Sequence, residues 1–266
     1  MALRLAKAKT VPAVEAKGIG FSFGPLRVLR GVTLSVERGS VLTVFGPNGA
    51  GKTTLLKILA GLLRPSAGAV RVEGVELSED PAAFRKLIGV ISHYPYLYPQ
   101  LTGRENLEFY ARLYGLRQPK TDARDMLETM GLSSAMNRQV SGYSRGMLQR
   151  LAVGRALLHG PRVLLLDEPF TGLDHEAREN LTALLRTLRS DDRTVLMTTH
   201  DLDGGLDLAD RVAVLSGGSL VVDLPAAGLD PAGFLALYDE AVAKGRALAT
   251  GGQARERGRV GERGRS

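Results

Sequence analysis

Apolar residues in this chain fall into two patterns. One is short, continuous and rich in β-branched residues: "VLTVF" before Gly46, "RVLLLD" ending at Asp167, "RTVLMTTH" ending at His200, and "RVAVLSGG". Runs of that length bounded by turn residues predict strands of a parallel sheet covered on both faces. The other pattern has helical spacing, as in Leu55, Leu56, Ile58 and Leu59 after a Gly-rich turn, and in "HEARENLTALLRTLR" between two of the strand runs. A third segment, "LRVLRGVTLSVERGSVL", alternates apolar and polar residues as an antiparallel sheet does. From Leu101 to Leu158 strand patterning disappears, and "GRENLEFYARLYGL" and "TDARDMLETMGL" predict a helical insertion. The fold class is therefore α/β, with a parallel sheet, an antiparallel β subdomain and a helical insertion. No internal repeat is visible.

Composition narrows the picture. A hydrophobic share of 44% and a charged share of 24% over 266 residues are those of a globular chain able to bury a core. The absence of cysteine excludes disulfides, thiolate metal sites and cysteine nucleophiles. The net charge of +7 owes much to the last stretch, where Arg255, Arg257, Arg259, Arg263 and Arg265 face only Glu256 and Glu262. That stretch has almost nothing to bury, so it reads as a solvated tail, and no nucleic-acid partner is expected. No window approaches the roughly 18 apolar residues of a membrane span. The first ten residues lack the apolar region of a signal peptide, so the expected location is cytoplasmic, with the membrane reached only through a partner. The expected organisation is a domain over 11–223 with a helical subdomain at about 94–160, a helical extension over 224–250, and a disordered basic tail over 251–266.

Three places carry chemistry. "GPNGAGKT" comprises Gly46, Pro47, Asn48, Gly49, Ala50, Gly51, Lys52 and Thr53, with Thr54 next, and satisfies G-x-x-x-x-G-K-[ST] between a strand and a helix. Glycines let backbone N–H groups curl around phosphate, Lys52 supplies a compact cation, and Thr53 offers a hydroxyl to Mg²⁺. At the end of a buried strand, Asp167 can reach a metal's water shell, and Glu168 beside it can polarise a water; solvated acids ending a strand are the alternative. His200 closes another strand on the side where parallel sheets bind ligands. His159 and His175 have no such placement and read as surface residues.

"VSGYSRGMLQR", Val140 to Arg150, has two readings. Gly142, Ser144 and Gly146 fit the G-x-S-x-G elbow of a nucleophilic serine, which requires a strand before the serine. The preceding "SSAMNRQVSGY" is polar and unlike a strand, whereas "SRGMLQRLAVGRALLHGP" is a helix with Ser144 as N-cap and Gly160-Pro161 as its stop. Ser144 therefore reads as a phosphate clamp.

With these residues in this order, the chain resembles the nucleotide-binding subunit of ATP-binding cassette (ABC) transporters from about Val14 to Asp223. The resemblance implies a P-loop NTPase core of the RecA-like kind. It makes Gly46 to Thr53 the Walker A loop, Val163 to Asp167 the Walker B strand, Glu168 the catalytic base, Asp174 the D-loop aspartate and His200 the switch histidine. "YSRGM" stands for the signature usually written LSGGQ, so Ser144 and the Gly146 amide would bind the γ-phosphate held by another subunit. Phe23 falls where the family stacks an aromatic on adenine; alone it reads as a core aromatic. "LSGGS" at Leu215 to Ser219 is nearer in letters to the signature, but it lies between strand-like runs and reads as a hairpin turn.

Two positions depart from the family pattern. Arg145 replaces a signature glycine. His93 takes the place of the glutamine that contacts Mg²⁺ and attacking water, with a structural histidine as the alternative; imidazole ligates metal only when neutral. What the resemblance implies is an ATPase using ATP and Mg²⁺, two cassette subunits closing head to tail around two ATP, and a separate membrane-spanning permease docked on "YPYLYPQLTGRENLEFYARLYGL". Residues around His93 and Ser144 look most like export-type cassettes, and among these like the haem-exporter subunit of cytochrome c maturation. Drug, lipid or polysaccharide cargo stays open, as does a soluble cassette ATPase acting on ribosomes or DNA.

Overall fold

The computed structural model describes residues 11–92, 94–173, 175–190 and 193–263. The chain opens with β1 (Val14–Phe23) and β2 (Leu26–Val36), a hairpin whose other edge is joined by β4 (Ala67–Val72) and the short β5 (Val75–Glu76). These form a four-stranded antiparallel sheet in the order β2-β1-β4-β5. Its inward residues, among them Val14, Ala16, Ile19, Leu29, Val32 and Val70, are almost wholly buried. The alternation of "LRVLRGVTLSV" thus belongs to a sheet with one covered face.

The second sheet begins with β3 (Val41–Phe45), continues with β6 (Ile88–Ile91), β7 (Val163–Asp167), β8 (Thr194–Thr199) and β9 (Arg211–Ser216), and ends with β10 (Ser219–Pro225). Its order is β10-β9-β3-β8-β7-β6, parallel throughout except for the β9–β10 hairpin. Every residue of β3, β7 and β8 is buried, as expected of central strands covered on both faces. Gly217 and Gly218, both with positive φ, make the β9–β10 turn, so "LSGGS" is a hairpin turn with no helix behind it.

Helix α1 (Lys52–Leu59) packs Leu55, Leu56, Ile58 and Leu59 between the two sheets, and α2 (Pro81–Lys86) buries Phe84 against the same core. On the opposite face lies the helical insertion: α3 (Gly103–Leu113), α4 (Pro119–Thr129) and α5 (Arg145–Leu157). Thr102 and Glu105 cap α3 reciprocally: the Glu105 carboxylate accepts from the Thr102 amide at 2.8 Å, and the Glu105 amide donates to the Thr102 hydroxyl at 3.1 Å. Helices α4 and α5 meet closely at Gly154, where a Cβ would lie 2.9 Å from Met130. The core on this face is completed by α6 (His175–Ser190), through Leu181, Leu185 and Leu188.

At the far edge, α8 (Pro231–Arg263) covers β9, and α7 (Leu202–Leu208) packs against β3 and α8. Phe234 is fully buried with its ring 4.8 Å from that of Phe45, and Gly245 allows α8 to approach Ser216, whose hydroxyl donates to the Val242 carbonyl at 3.1 Å.

Helix α8 itself runs to Arg263, into the stretch 251–266 that composition reads as a basic tail. One sequence expectation needs correction. His159 is not a surface residue. It is half-buried, its ring 4.1 Å from that of Tyr114 and its Nε2 3.0 Å from the Ile88 carbonyl. Burial of the ring holds its pKa below the ordinary value; the Ile88 carbonyl opposes that shift and the nearby Arg155 charge adds to it.

Candidate functional site

Parallel register assembles the site. Phe45 lies beside Thr199, and Thr198 beside Asp167, so the chain leaves β3, β7 and β8 at one level and presents Gly46, Glu168 and His200 at the carboxyl edge of the sheet. After the first of these exits, the loop Gly46–Gly51 leads into α1. Gly46 is required where β3 turns, because a Cβ there would overlap the Leu215 carbonyl. Gly51, the N-cap of α1, has φ 104°, and a Cβ on it would come within 2.8 Å of the Leu29 side chain. Between them Asn48 and Gly49 form the exposed crest, and the Ala50 amide donates to the Pro47 carbonyl at 3.2 Å. The first amides of α1, from Lys52, Thr53 and Thr54, carry the positive end of the helix.

Lys52 is only 6% exposed. Its ammonium donates to the carbonyls of Gly46 at 2.7 Å and Pro47 at 3.4 Å, and lies 3.2 Å from Glu168 Oε1. The loop therefore folds over its own cation and holds it beside the carboxylate at the end of β7.

Asp167 is 8% exposed, and its Oδ1 accepts from two hydroxyls, Thr53 at 3.2 Å and Thr198 at 2.7 Å. Thr198 was not singled out from sequence; its signal is only the register of β8 against β7. Glu168 has φ 52°, a left-handed conformation costing a non-glycine residue about 1–2 kcal/mol. The turn is fastened by its amide, which donates to the Thr198 carbonyl at 2.9 Å. The result aims the Glu168 carboxylate back over the sheet edge, where Oε2 lies 2.8 Å from His200 Nδ1 and accepts from the His200 amide at 3.2 Å.

These groups surround a cavity of about 390 Å³ lined by Asn48, Thr53, Asp167, Glu168, Thr171 and His200, with Tyr94 and Tyr96 at its rim. Chemically, it offers a strand-end carboxylate paired with hydroxyls and a second carboxylate able to accept a proton, with the buried Lys52 ammonium 3.2 Å from the latter. Among the described residues no group of three or more His, Cys, Asp or Glu is placed to hold a metal ion. Thr53 and Asp167 thus supply a small set of hard oxygen ligands, the kind that suits Mg²⁺ when phosphates and water complete its shell.

Ser144 and Gly146 lie elsewhere, lining a larger cavity of about 690 Å³ between α5 and α6 that none of the Gly46–Thr53 residues borders. Ser144 is the exposed N-cap of α5, its hydroxyl accepting from the Met147 amide at 3.3 Å, and a Cβ on Gly146 would meet nothing within 4 Å. Arg145 turns aside and donates to the Gly172 carbonyl at 3.0 Å. Phe23 is 54% exposed, standing edge-on to Phe21 with ring centres 4.8 Å apart, so it is not a core aromatic. His93 and Asp174 lie outside the described residues.

The profile of the ABC transporter family matches residues 29–171. The chain is 37% identical to the ABC transporter ATP-binding protein NatA of Bacillus subtilis over 199 residues, 74% of this chain and 81% of that one. It is 39% identical to the daunorubicin resistance ATP-binding protein DrrA3 of Streptomyces coeruleorubidus, covering 79% of this chain and 67% of that one. Against the Nod factor export ATP-binding protein I of Rhizobium etli it is 36% identical with the same coverage. A solved structure of the ATP binding subunit of an ABC transporter superposes with a TM-score of 0.76 at 28% identity, covering 86% of this chain and 99% of that one. Strand-end chemistry, layered sheets and sequence kinship thus agree that the chain belongs to the ABC transporter family, as an ATPase of the kind whose ATP-binding subunits pair with one another and work with membrane permeases.

Proposed function

We propose that this chain is the motor of an exporter: two cassettes, identical or different, close around two ATP and drive a separate membrane-spanning permease. The observation carrying this is the convergence of Thr53, Asp167, Glu168 and His200 on one cavity, with Lys52 3.2 Å from Glu168, while Ser144 and Gly146 border another. A helix tip turned away from its own phosphate loop suits a phosphate held by a second molecule.

In this reading the backbone N–H groups from Asn48 to Thr54 and the Lys52 ammonium hold the β- and γ-phosphates, and Phe23 stacks on the adenine. Thr53 and Asp167 would hold Mg²⁺, with His93 as a further ligand; the ion when bound neutralises phosphate charge. Glu168 accepts the proton of the attacking water, and His200, oriented by Glu168, contacts the γ-phosphate. Ser144 and the Gly146 amide grip that phosphate from the opposing cassette; for Asp174, outside the described residues, only the family resemblance assigns a part in nucleotide binding. Loss of the γ-phosphate removes the bridge and lets the pair reopen as rigid bodies.

The output surface is the aromatic ridge at the start of the helical insertion. Tyr94, Tyr96, Tyr98, Phe109 and Leu113 are 71%, 48%, 45%, 41% and 66% exposed, an apolar patch suited to a permease helix. Among the described residues no helix is long and apolar enough to cross a membrane, which fits attachment to the cytoplasmic face through that partner alone. Relatives named for daunorubicin resistance and Nod factor export support export of an organic molecule. Haem for cytochrome c maturation is a finer assignment that leans on His93, which lies outside the described residues.

Glu168→Gln tests the reading. The variant keeps shape and nucleotide binding but loses the proton acceptor, so it elutes as a dimer on sizing in ATP and Mg²⁺. A monomer under conditions where the variant binds ATP would refute the closed pair.

A further inference from the structure

The Glu168–His200 contact joins two loops that enter the site from different strands, and neither residue is fixed by its own loop alone. One side chain reaches the segments that follow both of them, at Phe170 and at Asp201. Arg178, in the first turn of α6, forms an ion pair through Nη2 with Asp201 Oδ2, the residue following His200. Its guanidinium also lies over the ring of Phe170, two residues after Glu168, with Cζ 5.5 Å from the ring centre. Phe170 is 3% exposed, and it touches α7 where Gly204 leaves room: a Cβ on Gly204 would come within 3.0 Å of Asp201 Oδ2 and 3.3 Å of the Phe170 ring. Asp201 is held further by its amide, which donates to Thr199 Oγ1 at 3.0 Å, and it accepts from the Gly204 amide at the start of α7. The contacts close a ring: Glu168, Phe170, Arg178, Asp201, His200 and back to Glu168 at 2.8 Å.

We infer that Arg178 is a positioning residue for ATP hydrolysis, setting the separation of Glu168 and His200 by gripping the segments that follow them. This rests on the reading of Glu168 and His200 as the hydrolytic pair. A partly exposed ion pair contributes little to global stability, so retention of fold is expected when it is removed. The guanidinium is suited to the task because one planar group serves an aromatic face and a carboxylate at once, which an ammonium does less well. Arg178 itself touches no group of the phosphate cavity, and its effect reaches the reaction only through Phe170 and Asp201.

The test uses the full chain, measuring kcat and KM for ATP together with thermal melting for Arg178→Gln, Arg178→Lys, Asp201→Asn and the Arg178→Gln/Asp201→Asn pair, beside Glu168→Gln. Misplacing a reacting group by about an ångström costs up to about a hundredfold, so a shift of part of that distance lowers kcat on the order of tenfold in Arg178→Gln, with KM within about twofold. Arg178→Lys recovers part of the loss, and the double variant falls no further than the worse single, since both break one contact. If Arg178→Gln fails to fold, Asp201→Asn decides alone, because asparagine still caps α7. A kcat within about twofold of the parent in the folded variants, or losses that multiply in the pair, overturns the inference while a dead Glu168→Gln leaves the site reading standing. Full turnover by Glu168→Gln overturns the site reading and this inference with it.

Discussion

Replacing Thr198 by valine isolates one hydrogen bond at the heart of the site. Thr198 is fully buried, and its hydroxyl is 2.7 Å from Asp167 Oδ1 and 3.4 Å from the Leu166 carbonyl. Valine has nearly the same shape, so cavity and strain contributions are small and the change is the loss of a donor to a carboxylate. Asp167 is 8% exposed, leaving little room for water to take the place of that donor, and Thr53 at 3.2 Å is the weaker partner. A hydrogen bond to a charged group is worth about 1.5–3 kcal/mol. For a chain of this size that corresponds to a fall in Tm of roughly 3–12 °C. The same loss leaves the Asp167 carboxylate less firmly oriented, and groups that orient a metal ligand typically contribute about 10–100-fold to metal affinity. Half-saturating Mg²⁺ in a phosphate-release assay is therefore expected to rise about tenfold or more, while Thr198→Ser, which keeps the hydroxyl, stays near the parent. A valine variant melting within about one degree of the parent with unchanged Mg²⁺ dependence would refute the reasoning.

Lys52→Ala removes an almost buried ammonium from beside Glu168, and ATP affinity, measured by fluorescent-nucleotide titration, is expected to fall on the order of a hundredfold; undiminished affinity would count against the phosphate loop. Because the folded-state pKa of His159 is held low, chiefly by burial, the native chain binds fewer protons there than the unfolded chain at acid pH. Its contribution to stability is complete above about pH 6.5 and is lost as pH falls toward the depressed folded value. Thermal melting of the parent and of His159→Gln should accordingly diverge between about pH 7.5 and pH 5.5, the parent losing more; parallel curves would contradict it. Deleting residues 252–266 should leave ATPase rates unchanged, since the buried contacts of α8 at Phe234, Ala241 and Gly245 all precede the cut, and a large loss would show a role for the basic end.

Much of the site was legible because its chemistry is contiguous. Gly46 to Thr54 and Asp167-Glu168 sit on short segments whose spacing alone dictates strand, turn and helix. The helix at Ser144 was readable from its polar lead-in and its stop at Gly160-Pro161. What sequence could not reveal depends on register and packing. Thr198 matters because β8 lies one strand from β7, and nothing in "MTTH" announces which threonine faces Asp167. Arg178 and Asp201 are 23 positions apart and meet only because α6 and α7 pack together. His159 looked like a surface residue because its partners, Tyr114 and Ile88, come from distant segments. The strand β6 escaped notice because its four residues, Ile88–Ile91, are too short for a periodic signal.

The N-cap at Ser144 has a last consequence. Its oxygen already receives the Met147 amide, yet a hydroxyl has a second lone pair and its own proton still to give. If Ser144 binds phosphate as proposed, the rotamer that closes the helix would also be the one that meets the anion. On the proposed reading, no side chain there must be reshaped upon docking, and the free energy of association is left to be spent on bringing two large bodies face to face.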